Sequence, residues 1–392
     1  MHIQKILIIA LLLVGNLQAQ NIARTWYEND KKQLKEEYET KTVGTTTIKH
    51  GKYRIWHANG VLWQEGQFAN NKLEGQWNDF YEDGSLKQIL NYRNDMLEGE
   101  LLYFYPISGL MQKQNYRNDV LHGVFESYYN DAKESLQEKY NYVNGKIHGE
   151  FKSYHENGQL HSVRQYVMGI EHGPVLTYYE TGRLREKSTR KNGLLDGIYT
   201  DYYKDFAEGT INKTATYVAG KLHGPLKGYY PSGSIKTLAN YQQNIMVGEF
   251  VEYYDSTQIA KERGFYVNNM RNGLWKAFYQ NGALYSEGNF VNDAFDGEWK
   301  IYYANGKLKQ KGLYKNGLAT GEWLFYYETG ELQNKGLYVD NQKSGEWLTY
   351  YKTGKIMTRI PFVQGQRHGT ARAFDEKGKQ VEETKYVMGE KK

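Results

Sequence analysis

The chain has 392 residues, with 50 Lys+Arg against 45 Asp+Glu, a balance too mild to argue for nucleic acid or an acidic membrane surface. It has no Cys, which excludes disulfide frameworks, thiolate catalysis and Cys-based zinc sites. Tyr, Phe and Trp number 37, 14 and 8 beside 41 Gly and 5 Pro, and that aromatic content argues against a disordered chain despite a mean hydropathy of −0.78.

Residues 1–19 read as a secretory signal peptide. Lys5 supplies a positive start, Ile6 to Val14 form an unbroken apolar run, and Leu17-Gln18-Ala19 offers a small residue at the cleavage position. The run is too short for a membrane span, which needs roughly 20 apolar residues, and no later run approaches that length. The expectation is an exported protein (periplasmic, outer-surface or extracellular) held together by packing alone. Residues 20–50 then read as a degenerate repeat or cap: Trp26-Tyr27 and Leu34 to Tyr38 mimic elements of the repeat that follows. A capping helix over Gln33 to Glu39 competes, because Lys, Glu and Gln favour helix.

From residue 51 to the end the chain is periodic. Glycine recurs at 51, 75, 99, 123, 149, 173, 197, 224, 248, 273, 297, 321, 345 and 369, at intervals of 24 residues save one each of 25, 26 and 27. With that glycine as position zero, +2 is apolar or aromatic in every unit (Trp77, Phe125, Trp323), and +5 is aromatic in all fourteen units, from Trp56 to Phe374. A turn follows near +9, marked by Asn59-Gly60, Asp83-Gly84 or Asn305-Gly306. A second turn falls at −4, always Gly, Asn or Asp, the residues that tolerate the positive φ of primed hairpin turns.

Two turns per unit leave two strands. The second carries an aliphatic near +11 (Leu308) and an aromatic near +17 (Tyr314), an even offset that keeps both on one face. In the first strand +2 and +5 differ in parity, so either a bulge or aromatics on both faces is needed. The anchor glycine would permit a bend or the close approach of a neighbour's ring. Because a lone hairpin is marginal in water, each unit must lean on the next. The expected fold is all-β: an elongated repeat array of about 14 stacked antiparallel hairpins, about 24 residues each, in one continuous twisted meander of roughly 130 Å if flat.

The Gly297-Glu298-Trp299-Lys300-Ile301-Tyr302-Tyr303 core, followed by Asn305-Gly306-Lys307-Leu308 and closed by Lys311-Gly312-Leu313-Tyr314-Lys315-Asn316-Gly317, resembles the MORN repeat. The closer likeness is to its longer bacterial variant, often labelled an antitoxin component. The likeness covers about residues 51–389; it is strongest from Gly273 to Gly354 and weaker at the Gly123, Gly197 and Gly248 units. It implies stacked hairpins used as scaffolds for protein contacts and, in eukaryotic relatives, for attachment at membranes. It implies no catalytic residue. A signal peptide sits badly with neutralising a cytoplasmic toxin.

Chemistry-bearing constellations are scarce. His50, His122, His148, His172, His223 and His368 each precede an anchor glycine, but equivalent positions two strands apart lie about 9 to 10 Å from one another. Zinc–nitrogen bonds are about 2.0 to 2.1 Å, so a polar residue beside a turn explains the row and no metal is expected. Glu298, Glu322 and Glu346 occupy one repeated +1 position rather than forming a catalytic pair. No phosphate loop or nucleophile elbow occurs, so no enzyme and no cofactor is expected. Tyr-Tyr pairs at +5 and +6 remain. Adjacent strand residues face opposite sides, so one row would be open to a partner: Tyr129, Tyr179, Tyr203, Tyr230, Tyr254, Tyr303, Tyr327 and Tyr351. Such a row suits protein recognition, the first functional reading, or stacking on the sugar rings of a wall or extracellular polysaccharide, the second.

Overall fold

The computed structural model describes residues 21–27, 32–107 and 109–392, and among them there are strands and turns but no helix. The signal-peptide reading of residues 1–19 lies outside the described residues. The chain divides into two compact units, Met1–Ile170 and Glu171–Lys392.

The first unit opens with Asn21–Trp26 antiparallel to Leu34–Val43, which pairs in turn with Thr46–Trp56. The helix considered over Gln33 to Glu39 is therefore a strand. Tertiary pairing overrides local propensity there: Tyr38 stacks on Tyr53, and Glu36 accepts an ion pair from Lys49 at 2.8 Å. The meander then continues through the Gly51, Gly75, Gly99, Gly123 and Gly149 repeats, each strand antiparallel to its sequence neighbour. The second unit repeats the plan from Gly173–Tyr178 to Gln380–Val387.

Three local features set the repeat. The pair of residues ending at −4 has positive φ in every case, as in Asn70 and Asn71 (57° and 65°) or Asp340 and Asn341 (48° and 68°), which defines the primed turns read from composition. All fourteen anchor glycines also lie at positive φ, from 65° at Gly345 to 115° at Gly173, and so bend the first strand. In addition, the register slips between +4 and +5 in each repeat, for example at Ile301/Tyr302 and Phe325/Tyr326. That bulge resolves the parity conflict between +2 and +5.

The +2 and +17 side chains share one face and bury each other. Trp77, Trp275, Trp323 and Trp347 are all nearly inaccessible to solvent. Their rings meet the preceding repeat's +17 ring edge-on: Tyr314–Trp323 at 5.1 Å and 89°, Tyr338–Trp347 at 5.0 Å and 81°. Beneath each +2 tryptophan lies a glycine of the preceding repeat, at +15 or, in the 25-residue Gly248 repeat, at +16: Gly66, Gly264, Gly288, Gly312 and Gly336 under Trp77, Trp275, Trp299, Trp323 and Trp347. Close approach of a ring thus falls to the +15 glycine, and bending to the anchor glycine. The opposite face carries +1, +3, +14 and +16, with ion pairs such as Lys276–Glu287 at 3.2 Å and Lys300–Glu298 at 2.7 Å.

Candidate functional site

The eight tyrosines singled out at +6 are all half-buried. Each begins the loop between its repeat's two strands; in the Gly297 repeat, Tyr303 N–H donates to Lys307 O and Gly306 N–H donates to Tyr303 O. The side chain then reaches the next repeat. The hydroxyls of Tyr129, Tyr179, Tyr203, Tyr230, Tyr254, Tyr303, Tyr327 and Tyr351 donate to the +5 carbonyls of Tyr154, Tyr202, Tyr229, Tyr253, Phe278, Tyr326, Tyr350 and Phe374 at 2.8–2.9 Å. Tyr81, Tyr105 and Tyr279, which follow a Phe instead of a Tyr, make the same bond. So does Tyr27 to Trp56 O, which makes the opening segment work as a repeat in this respect. Pairing by residue type alone had hidden these four. A cation lies over the ring in several cases, with Lys309 Nζ 5.6 Å from the Tyr303 centroid and Lys236 Nζ 5.6 Å from that of Tyr230. Burial raises the phenol pKa at Tyr129, Tyr179, Tyr203 and Tyr230.

The turn at the other end of the strands is stapled as thoroughly. Its −4 residue donates its backbone N–H to the −2 carbonyl of the preceding repeat, as in Asn341 to Ala319 O at 3.0 Å. Where that residue is Asn or Asp, its side chain also accepts from the −2 N–H, with Ala319 N to Asn341 Oδ1 at 2.6 Å and Leu97 N to Asp119 Oδ1 at 2.6 Å. The −5 N–H meets the residue before the preceding anchor glycine: Asn70 with His50 Nδ1, Met388 with His368 Nδ1, Asn94 with Glu74 and Ala219 with Asp196. Interchange of His, Glu and Asp in that row is explained by the one thing they share, an acceptor for a turn N–H.

With the recurring polar groups committed to neighbours, free surface is found at positions that vary. On the charged face of the second unit, near the primed turns, Phe265, Leu274, Leu313, Leu337 and Val339 are each about half exposed. Glu298 pairs directly with Leu313 and Glu322 with Leu337, so acidic and aliphatic side chains alternate along this stripe. Glu298 and Glu346, weighed above as catalytic acids, sit in ion pairs with Lys300 and Arg359. No helix among the described residues is long and apolar enough to cross a membrane.

A stack of hairpins that spends its recurring residues on its own register and leaves variable ones outward defines a repeat scaffold for binding. The family model described as "MORN repeat variant" matches residues 49–70, 73–94, 147–168, 171–192, 222–243, 271–292, 295–316, 319–340 and 343–364. These nine matches take in just over half of the chain, and the protein belongs to that family. The Gly99, Gly123, Gly197, Gly248 and Gly369 units escape the match yet keep the same paired strands. No curated protein matches. Among solved structures, a Photorhabdus luminescens Tc holotoxin pore is similar at 14% identity over 93% of this chain and 19% of its own, with a TM-score of 0.16. A TcdB2-TccC3-Cdc42 complex is similar at 10% identity over 94% and 27%, with a TM-score of 0.15. The chain thus spans about a fifth to a quarter of the structures it matches.

Proposed function

We propose that this chain is an exported, non-enzymatic repeat scaffold that binds another protein. The observation that carries the reading is the apolar–acidic stripe of the second unit, where Phe265, Leu313, Leu337 and Val339, from the Gly248, Gly297 and Gly321 repeats, stand exposed on one face. Apolar side chains ranked along a rigid sheet and rimmed by charge suit a protein contact. The tyrosines hold the repeats in register, and their half-exposed ring edges offer a second, narrower row at the opposite end of the strands. Export rests on the apolar run and small cleavage residue within residues 1–19. Membership in the MORN repeat variant family supports a scaffold role.

The test is a crosslinking pull-down from the envelope fraction with wild-type protein and a Leu313→Asp/Leu337→Asp double variant. A saturable protein partner captured by the wild type and lost from the variant supports the reading. Equal capture by both, or capture of polysaccharide alone, overturns it.

A further inference from the structure

The −2 position packs against the aromatic face, and its occupants are apolar in most repeats, including Leu73, Leu195, Phe295 and Ala319. Where it is cationic nearer the start of the chain, a carboxylate neutralises it: Lys49 pairs with Glu36 at 2.8 Å and Arg271 with Asp293 at 3.1 Å. The last two full repeats break that rule. Lys343 and Arg367 occupy successive −2 positions, and among the described residues neither makes an ion pair. Lys343 Nζ lies 4.1 Å from the Trp347 centroid and 5.3 Å from that of Phe362. Arg367 lies 5.3 Å from the Tyr386 centroid and donates to the Tyr386 hydroxyl at 3.2 Å.

The packing also opens at this place. At the four preceding junctions a glycine receives the next repeat's tryptophan (Gly264, Gly288, Gly312 and Gly336), whereas here Ile360 stands in the glycine's place and the small Ala371 in the tryptophan's. Two adjoining cavities of about 370 and 120 Å³ result, sharing Ile360 and Arg367 in their walls. Phe325, Tyr338 and Phe362 wall the larger one, and its polar groups Asn334 and Thr349 bond to each other at 2.8 Å. The one carboxylate on either wall, Glu382, accepts from Thr384. Burial, followed by the nearby Arg367 charge, lowers the Lys343 pKa. An opposite charge brought in from outside would relieve both effects.

We infer that this aromatic cavity binds an acidic peptide segment of a protein partner, with Lys343 and Arg367 each receiving a carboxylate. The inference rests on the protein-binding reading. A sugar would need an open ring face to stack on, but Trp347 is almost wholly buried and its face is covered by Lys343. What remains is a pair of cations on an apolar wall, separated by the roughly 9 to 10 Å of two strand spacings. Acidic side chains two or three positions apart on an extended peptide span that gap.

The test uses the full-length protein and a fluorescein-labelled hexaglutamate peptide, with oligogalacturonate as the glycan probe. Variants are Lys343→Met/Arg367→Met and, as a control for general charge attraction, Lys311→Met/Lys335→Met on the opposite face. Hexaglutamate binding that weakens at least about tenfold in the first variant only, with unchanged melting temperature, supports the site. Equal weakening in both variants, no binding by the wild type, or preference for oligogalacturonate overturns it. Envelope capture that survives Lys343→Met/Arg367→Met but not Leu313→Asp/Leu337→Asp separates failure of this site from failure of the scaffold reading.

Discussion

The indole of Trp323 covers Gly312 so closely that a Cβ on that glycine would lie only 2.1–2.6 Å from three of its ring carbons. Gly312 does not need its freedom for a left-handed turn; it needs to have no side chain. The pairing is general, since each +2 tryptophan follows a glycine eleven residues earlier, whereas Leu101 follows Leu90 and Phe250 follows Ala239. Gly312→Ala should therefore destabilise the fold by about 3 kcal/mol, at the upper end for overpacking. Trp323→Ala should cost about 3–5 kcal/mol through the cavity it leaves. Urea unfolding of both singles and the double variant would show strong non-additivity, because the smaller ring site relieves the alanine clash.

The hydroxyl row predicts a different signature. Tyr303→Phe removes the bond to Tyr326 O without changing the ring, at a cost of about 1–2 kcal/mol. Tyr279→Phe should cost the same although its preceding residue is Phe278. Chemical denaturation of the two single variants would check the equivalence.

At the primed turn, backbone and side chain can be separated. Asn341 has a φ of 68° and accepts from Ala319 N–H at 2.6 Å. Asn341→Gly keeps the conformation and loses only the bond, about 1 kcal/mol. Asn341→Ala loses both, a further 1 kcal/mol or so. Thermal melts should rank wild type above Gly and Gly above Ala.

Stability should also fall in alkali. Burial raises the phenol pKa of many tyrosines: Tyr199 is pushed up to about 12, and Tyr241, Tyr314 and Tyr338 also rise. Near pH 10 an unfolded tyrosine begins to release its proton while the folded one keeps it, so the folded state binds more protons and stability drops as pH rises. The contribution is complete below pH 10 and is lost progressively as pH climbs through the raised values. Melting temperature should be flat from neutral pH to about pH 9 and decline steeply above 10. Tyrosinate absorbance in native protein should lag behind that of urea-unfolded protein.

Period, strand pairs, primed turns and anchor glycines were legible because each is encoded by one residue type at a fixed offset. The tyrosine row was visible as a pattern, but its acceptor is a backbone carbonyl 23 residues away in most repeats, and no side chain marks a carbonyl. Strand parity alone suggested one open row, whereas the bulge between +4 and +5 reorients the end of the strand. Over Gln33 to Glu39 helical propensity competed with pairing to Thr46–Trp56, and only long-range contact decides between them. The Lys343 and Arg367 pocket left no motif, since it arises from what two repeats omit: a counter-charge and a tryptophan.

Mutual dependence of neighbouring hairpins is most directly tested by amide hydrogen exchange on a Gly312→Val variant. Protection should fall furthest in the Gly297 and Gly321 repeats, which share the Gly312–Trp323 contact, and recover step by step in repeats further along the second unit. Loss confined to the Gly297 repeat, with the Gly321 repeat as protected as in the wild type, would contradict the account.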